Sequence, residues 1–195
     1  MPKITGPTVV EHRAAQHRAL LASAERLINE SGGNVPTLTE VAEAMGLARS
    51  SIYLYVKSRK DLVVQLLLDI IPTWTDGITT AMDAAGDDPL ARLTVYVDET
   101  FRLFVEGDHG ALMVAAQQLP ETFMDPRVQE VHGALDPVLD ELLDAVGGPV
   151  AVAAKPLIDS AIQRGAEMVT AGGADEAAVR EALHRMVEGV VSDER

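Results

Sequence analysis

Apolar residues recur along most of the chain at spacings of three and four, which places them on one face of a helix. The clearest stripe is Leu90, Leu93, Val97, Phe101, Phe104 and Val105, although Leu93 to Asp98 read alone alternates as a strand would. Glycine and proline divide the pattern into segments of helical length. The expected helices are Arg13–Ser31, Thr37–Met45, Ala48–Val56, Ser58–Trp74, Pro89–Glu106, Gly110–Gln118, Pro126–Val146, Val150–Ala171 and Asp175–Val191. Pro156 lies inside the eighth and predicts a late start or a kink, because proline lacks an amide hydrogen and crowds the preceding turn. Alanine, leucine, glutamate and arginine dominate while strand-forming runs are missing, so the expected fold class is all-α with about nine helices.

Composition removes several chemistries. With 47% hydrophobic and 24% charged residues, the 195-residue chain has the balance of a folded protein. It contains no cysteine, which excludes disulfides, thiol catalysis, cysteine-ligated zinc and iron–sulfur clusters. The longest apolar run, Leu66-Leu67-Leu68 with Ile70-Ile71, is interrupted by Asp69 and stopped by Pro72, short of the ~20 residues a membrane span needs. The first residues, Met1 to Pro7, carry no apolar stretch of the signal-peptide kind. A cytoplasmic protein with no membrane contact is expected.

The formal charge of −14 is unevenly distributed. Through Leu62 there are eight basic and six acidic residues; the remainder carries eight basic against 24 acidic. Only the amino-terminal part is therefore suited to approach a polyanion.

That part contains TLTEVAEAMGLARSSIYLYVKSRKDL, from Thr37 to Leu62. Thr37-x-x-Glu40 is a capping box, in which hydroxyl and carboxylate satisfy the orphan amides of a helix start. Gly46 falls where a tight turn needs positive φ, and Ile52 and Val56 supply an inward face to a second short helix. Two short helices around a glycine turn, following a longer supporting helix, make a helix-turn-helix. In that arrangement the second helix enters the DNA major groove with its first residues at the base edges. These are Arg49, Ser50 and Ser51; an arginine can donate two hydrogen bonds to guanine. Tyr53 and Tyr55 follow one turn later with hydroxyls able to reach phosphate, and Thr37 and Thr39 join them as candidate contacts. Ser58-x-x-Asp61 is a second cap, with Lys57, Arg59 and Lys60 around a helix start whose dipole already favours an anion.

These residues resemble the tetracycline-repressor (TetR-type) family of bacterial transcription regulators. The resemblance covers about the first third of the chain; Gly46-Leu47 and Ile52-Tyr53-x-Tyr55-Val56-x-Ser58-Arg59-x-x-Leu62 are its most specific part. Many members have phenylalanine where Val56 stands and lysine where Arg59 stands; valine keeps the apolar role and arginine the charge. The resemblance implies a helix-turn-helix DNA-binding domain over residues 1–60 and a helical effector-binding and dimerisation domain over 61–195. It further implies a homodimer on a double-stranded operator, released by a small-molecule effector, with neither enzymatic activity nor a cofactor.

In the acidic part, two wide stripes are candidates for the partner contact: Leu157, Ala161, Ile162 and Met168, then Leu183, Met186, Val187 and Val190. Closure of a monomer core is the alternative use of both. For the effector, large side chains concentrate on the middle helices, where Trp74, Tyr96, Phe104, Met113 and Phe123 stand with Thr100 and Gln117 as polar points. They favour an apolar or mildly cationic ligand.

Two spacings point elsewhere. Glu106-x-x-His109 and Glu181-x-x-His184 match the ligand pattern of di-metal helical bundles, although His109 lies beside glycines at a helix end. No nucleophile-elbow or zinc-protease motif accompanies the five histidines. A DNA-binding activator would use the same residues as a repressor.

Overall fold

The computed structural model describes residues 9–106, 109–147 and 150–191. Among them there is no strand; the helices are α1 (Val9–Glu30), α2 (Leu38–Ala44), α3 (Arg49–Ile52), α4 (Arg59–Ala84), α5 (Pro89–Val105), α6 (His109–Gln117), α7 (Pro126–His132), α8 (Asp136–Gly147), α9 (Ala151–Thr170) and α10 (Glu176–Val191). Short 3-10 turns occupy Pro120–Thr122 and Gly133–Leu135.

Three differences from the expected pattern have local causes. The stretch Pro126–Val146 is two helices, because Pro137 has no amide to offer the carbonyl of Gly133, where the 3-10 turn begins. The expected helix Ala48–Val56 is α-helical only to Ile52 and continues as turns in which Leu54 and Tyr55 amides bond to Ser51 and Ile52 carbonyls. The expected helix Ser58–Trp74 already passes through Pro72, but α4 runs on past Trp74 to Ala84. A helix-interior proline costs ~3 kcal/mol. Burying Leu66, Leu67 and Ile71 before it and Ile78 and Met82 after it outweighs that, at ~1.5–3 kcal/mol per large side chain. The result is a 26-residue helix that, by length and composition alone, is long and apolar enough to cross a membrane. α9 begins at Ala151 and passes through Pro156, so of the late start and the kink expected as alternatives there, the late start does not occur.

The chain forms two compact units: Met1–Asp69 with Ala111–Val128, and Ile70–Gly110 with Gln129–Arg195. The first unit runs past residue 60 to Asp69, and Leu62, Val63, Val64, Leu66 and Leu67 at the start of α4 are buried.

In the first unit, α1 ends in a Schellman turn: Gly33 and Gly32 amides bond back to Ile28 and Asn29 carbonyls. Gly33 stands at φ +104, where a Cβ would lie 2.6 Å from Val114 Cγ1 and 3.0 Å from the Ala111 carbonyl oxygen. Gln118 Nε2 donates to the Gly33 carbonyl at 2.8 Å, so residues 111–128 pack closely on the end of α1.

The second unit is a bundle of α5, α8, α9 and α10. Its core holds Leu93, Tyr96, Val97 and Phe101 from α5, Leu139 and Leu143 from α8, Ile158, Ile162 and Ala166 from α9, and Leu183 and Val187 from α10. Gly165 permits a close helix approach: a Cβ there would meet Val179 Cγ1 at 2.7 Å. Arg180 on α10 bonds Asp98 at 2.9 Å and lies over the Phe101 ring, and His184 bonds the same carboxylate at 2.8 Å.

Candidate nucleic-acid interface

The first unit builds its recognition segment from the local signals in order. Glu40 N donates to Thr37 Oγ1 at 3.2 Å, while Thr37 N donates to Glu40 Oε2 at 2.7 Å, closing the capping box of α2. These donors hold the Glu40 carboxyl below the usual range, the Thr37 amide more than the Thr37 hydroxyl. α2 then ends in a second Schellman turn: Leu47 N bonds Ala42 O at 2.8 Å and Gly46 N bonds Glu43 O at 3.0 Å, with Gly46 at φ +66. Val41, Ile52 and Val56 are fully buried and fix α3 against its support.

The polar positions point the other way. Arg49 and Ser50 are exposed at the start of α3, Ser51 is half-buried, and Tyr53 is 50% exposed. Lys57 is exposed, whereas Thr39 and Tyr55 are half-buried. The Tyr55 ring stacks on His17 of α1, with centroids 6.4 Å apart and planes 13° apart. Thr37 is exposed, but its hydroxyl is committed to the cap, donating to Glu40 Oε2 at 2.8 Å.

The start of α4 carries the cationic group. Ser58 Oγ accepts from Asp61 N at 3.1 Å, and Asp61 Oδ2 accepts from Lys57 N at 2.8 Å, so the second cap reaches one residue further back than the usual box. Arg59, expected to face phosphate with its whole fork, donates one Nη2 hydrogen to the carbonyl of buried Val35. Its remaining donors are the ones available to an anion. Lys60 is near enough to Asp125 to help Arg127, the larger influence, hold that carboxyl below its ordinary value.

Several residues here carry no local sequence signal. Arg13 Nη2 donates to the Leu54 carbonyl at 3.1 Å, and His17 and Gln65 meet through Nε2 and Oε1. Their partners stand 41 and 48 positions away in sequence, beyond any helical period.

The expected effector residues divide between the units. Trp74, Tyr96, Thr100 and Phe104 lie in the second, while Met113, Gln117 and Phe123 lie in the first, with Gln117 exposed. Buried Tyr96 donates to Asp159 Oδ1 at 2.7 Å; burial and then the Asp159 charge push its phenol well above the usual value. Lys155 joins that carboxylate at 3.3 Å and reaches Asp136 at 2.9 Å.

The expected partner stripe is likewise mixed. Ile162, Leu183 and Val187 are at most 4% exposed and belong to the core of the bundle, so they have no surface to give a partner. Leu157, Met168 and Met186 are 64%, 40% and 47% exposed, Ala161 is half-buried, and the side chain of Val190 lies outside the described residues. Of the Glu-x-x-His pairs, Glu181 pairs with Arg185 and His184 with Asp98. Glu106 lies 3.9 Å from Arg102, and the side chain of His109 is outside the described residues. No group of three or more histidines and carboxylates able to hold a metal ion occurs among the described residues.

No family model and no curated protein matches the chain. Solved structures do. The fatty acid degradation regulator FadR from Bacillus halodurans is 21% identical, with 99% of each chain covered and a TM-score of 0.68. FadR from Bacillus subtilis, solved with stearoyl-CoA, is 17% identical over 92% of this chain and 100% of that one, with a TM-score of 0.69. The TetR-like regulator LfrR from Mycobacterium smegmatis, solved with proflavine, is 20% identical over 92% and 98%, with a TM-score of 0.63. The chain thus has the all-α fold of TetR-type transcriptional regulators.

Proposed function

We propose that this protein is a ligand-responsive, DNA-binding transcriptional regulator of the TetR type, acting as a repressor released from its operator by a small molecule. One observation carries the reading: Arg49 and Ser50, on a short helix anchored by fully buried Ile52, and Tyr53 just after it are exposed beside the cationic start of α4. A four-residue helix has no structural need for that polar face, and a major groove does. Base edges are read from Arg49 and Ser50, while Tyr53, Lys57 and the free donors of Arg59 take phosphates and set register.

A homodimer places two such segments ~34–36 Å apart on an inverted repeat. Its contact is formed by the exposed Leu157, Met168 and Met186, with half-buried Ala161 between them. The effector occupies the second unit near Tyr96, Thr100, Phe104 and Trp74, with the Asp159 carboxylate as its polar anchor. Its binding is felt along α4, and it releases DNA only by preferring the released conformation. The protein works in the cytoplasm and catalyses nothing.

Selection from a random duplex pool tests the reading. Enrichment of an inverted repeat, with binding that weakens steeply as salt rises, is the expected result. Failure to enrich any duplex at low ionic strength overturns it.

A further inference from the structure

The turn after α3 carries Tyr53, Tyr55 and Lys57, and its first half is held by the Leu54, Tyr55 and Val56 amides bonding back to the Ser51 and Ile52 carbonyls. Beyond those bonds, a single side chain on α4 secures it. Gln65 Nε2 donates to the Tyr55 carbonyl at 3.1 Å and to Asp61 Oδ2 at 3.1 Å, using both amide hydrogens. Its Oε1 accepts from His17 Nε2 on α1. Asp61 Oδ2 in turn accepts from the Lys57 amide at 2.8 Å, and the His17 ring stacks on Tyr55. The half-buried Gln65 amide thus joins α1, α4 and both ends of the Tyr55–Lys57 turn, with every one of its polar hydrogens and its oxygen in use.

We propose that Gln65 is a positioning residue for DNA recognition, locking the Tyr53–Lys57 turn in the geometry that meets the phosphate backbone. The inference rests on the DNA-binding reading and adds to it a residue that touches no DNA. The network demands a donor pair on one side of the amide and an acceptor on the other. A carboxylate at position 65 would face the Tyr55 carbonyl and Asp61, acceptor against acceptor. An apolar side chain of the same length would leave the Tyr55 carbonyl and the His17 N–H without partners. Either change frees the turn to sample other geometries, and phosphate contacts made from it lose their preorganisation.

The test uses the full chain and the duplex that the wild-type protein enriches from a random pool. Gln65→Met should bind that duplex ~10-fold more weakly, with the slope of log affinity against log salt reduced by about one phosphate contact. Amide exchange should quicken at Lys57 while α1 keeps its protection. Gln65→Glu should lose at least as much affinity. Adding Asp61→Asn should recover only part of that loss, because the asparagine amide donates to the new carboxylate and the added charge is cancelled, while the Tyr55 carbonyl still faces an acceptor. Incomplete recovery with quick exchange at the turn is the mark of the lost Tyr55 bond, and it decides the matter even if Gln65→Met does not fold. Wild-type affinity and salt slope in folded Gln65→Met, or complete recovery by Asp61→Asn in a folded double variant, overturn the inference while leaving DNA binding intact. A wild-type chain that enriches no duplex refutes the DNA-binding reading itself.

Discussion

Gly33→Ala measures how tightly residues 111–128 are built into the first unit. Two penalties act at this position. The backbone stands at φ +104, a conformation L-residues rarely adopt, which costs ~1–3 kcal/mol. The new methyl also enters occupied space, 2.6 Å from Val114 Cγ1, 2.7 Å from its Cβ and 3.0 Å from the Ala111 oxygen, and such overpacking costs a further ~1–3 kcal/mol. Gly32→Ala supplies the control, because Gly32 has positive φ but nothing within 4 Å of an added Cβ, so only the backbone penalty applies. Urea unfolding should therefore place Gly33→Ala about 1–3 kcal/mol below Gly32→Ala. In a Val114→Gly background the clash with Val114 disappears while the approach to the Ala111 oxygen remains, and a double-mutant cycle should return a coupling of about 1–2 kcal/mol. Equal destabilisation by the two alanines, or zero coupling to Val114, would refute the claim that this segment rests directly on the end of α1.

Three further outcomes follow from the site. Arg59→Ala should weaken binding to all duplexes and lower its salt dependence, and it should also cost ~1–2 kcal/mol of stability in a urea titration because the carbonyl of buried Val35 loses its donor. Glu40 should titrate below 4.5 in a carboxyl NMR titration, and Thr37→Ala should move it only part of the way back, since the Thr37 amide is the larger cause. A lowered folded value means that the Glu40 contribution is complete above pH 4.5 and disappears as pH falls through the folded value. Tyr96→Phe should cost ~1–2 kcal/mol, the worth of a hydrogen bond to a carboxylate that keeps Lys155. Because its phenol is raised, that stability is complete below pH 10 and is lost as pH climbs towards the folded value, so Tyr96→Phe should flatten the alkaline part of a stability-against-pH series.

The recognition segment was legible because its signals are local. Thr37 and Glu40 close their box three residues apart, Gly46 takes the positive φ that its turn requires, and Ile52 and Val56 share a face. Helix type was legible for the same reason. Boundaries depended on competition between local and distant terms: the helix expected to end at Trp74 continues to Ala84, where it buries Ile78 and Met82. The allocation of apolar stripes was illegible in principle, since a core and a partner contact have the same period. Ile162, Leu183 and Val187 went to the core, while Leu157, Met168 and Met186 stayed exposed. Gln118, 85 positions from Gly33, shows the same limit for polar contacts. Nothing near either residue in sequence announces the pair.

The central claim is that the residues opening α3 read base edges. Binding of Arg49→Ala to every single-base variant of the enriched duplex tests it most directly. The account predicts that the wild-type preference collapses at one position per half-site, by about 1–3 kcal/mol, while preferences elsewhere and the salt slope persist. A uniform loss across all variants, or no loss at any, would contradict it.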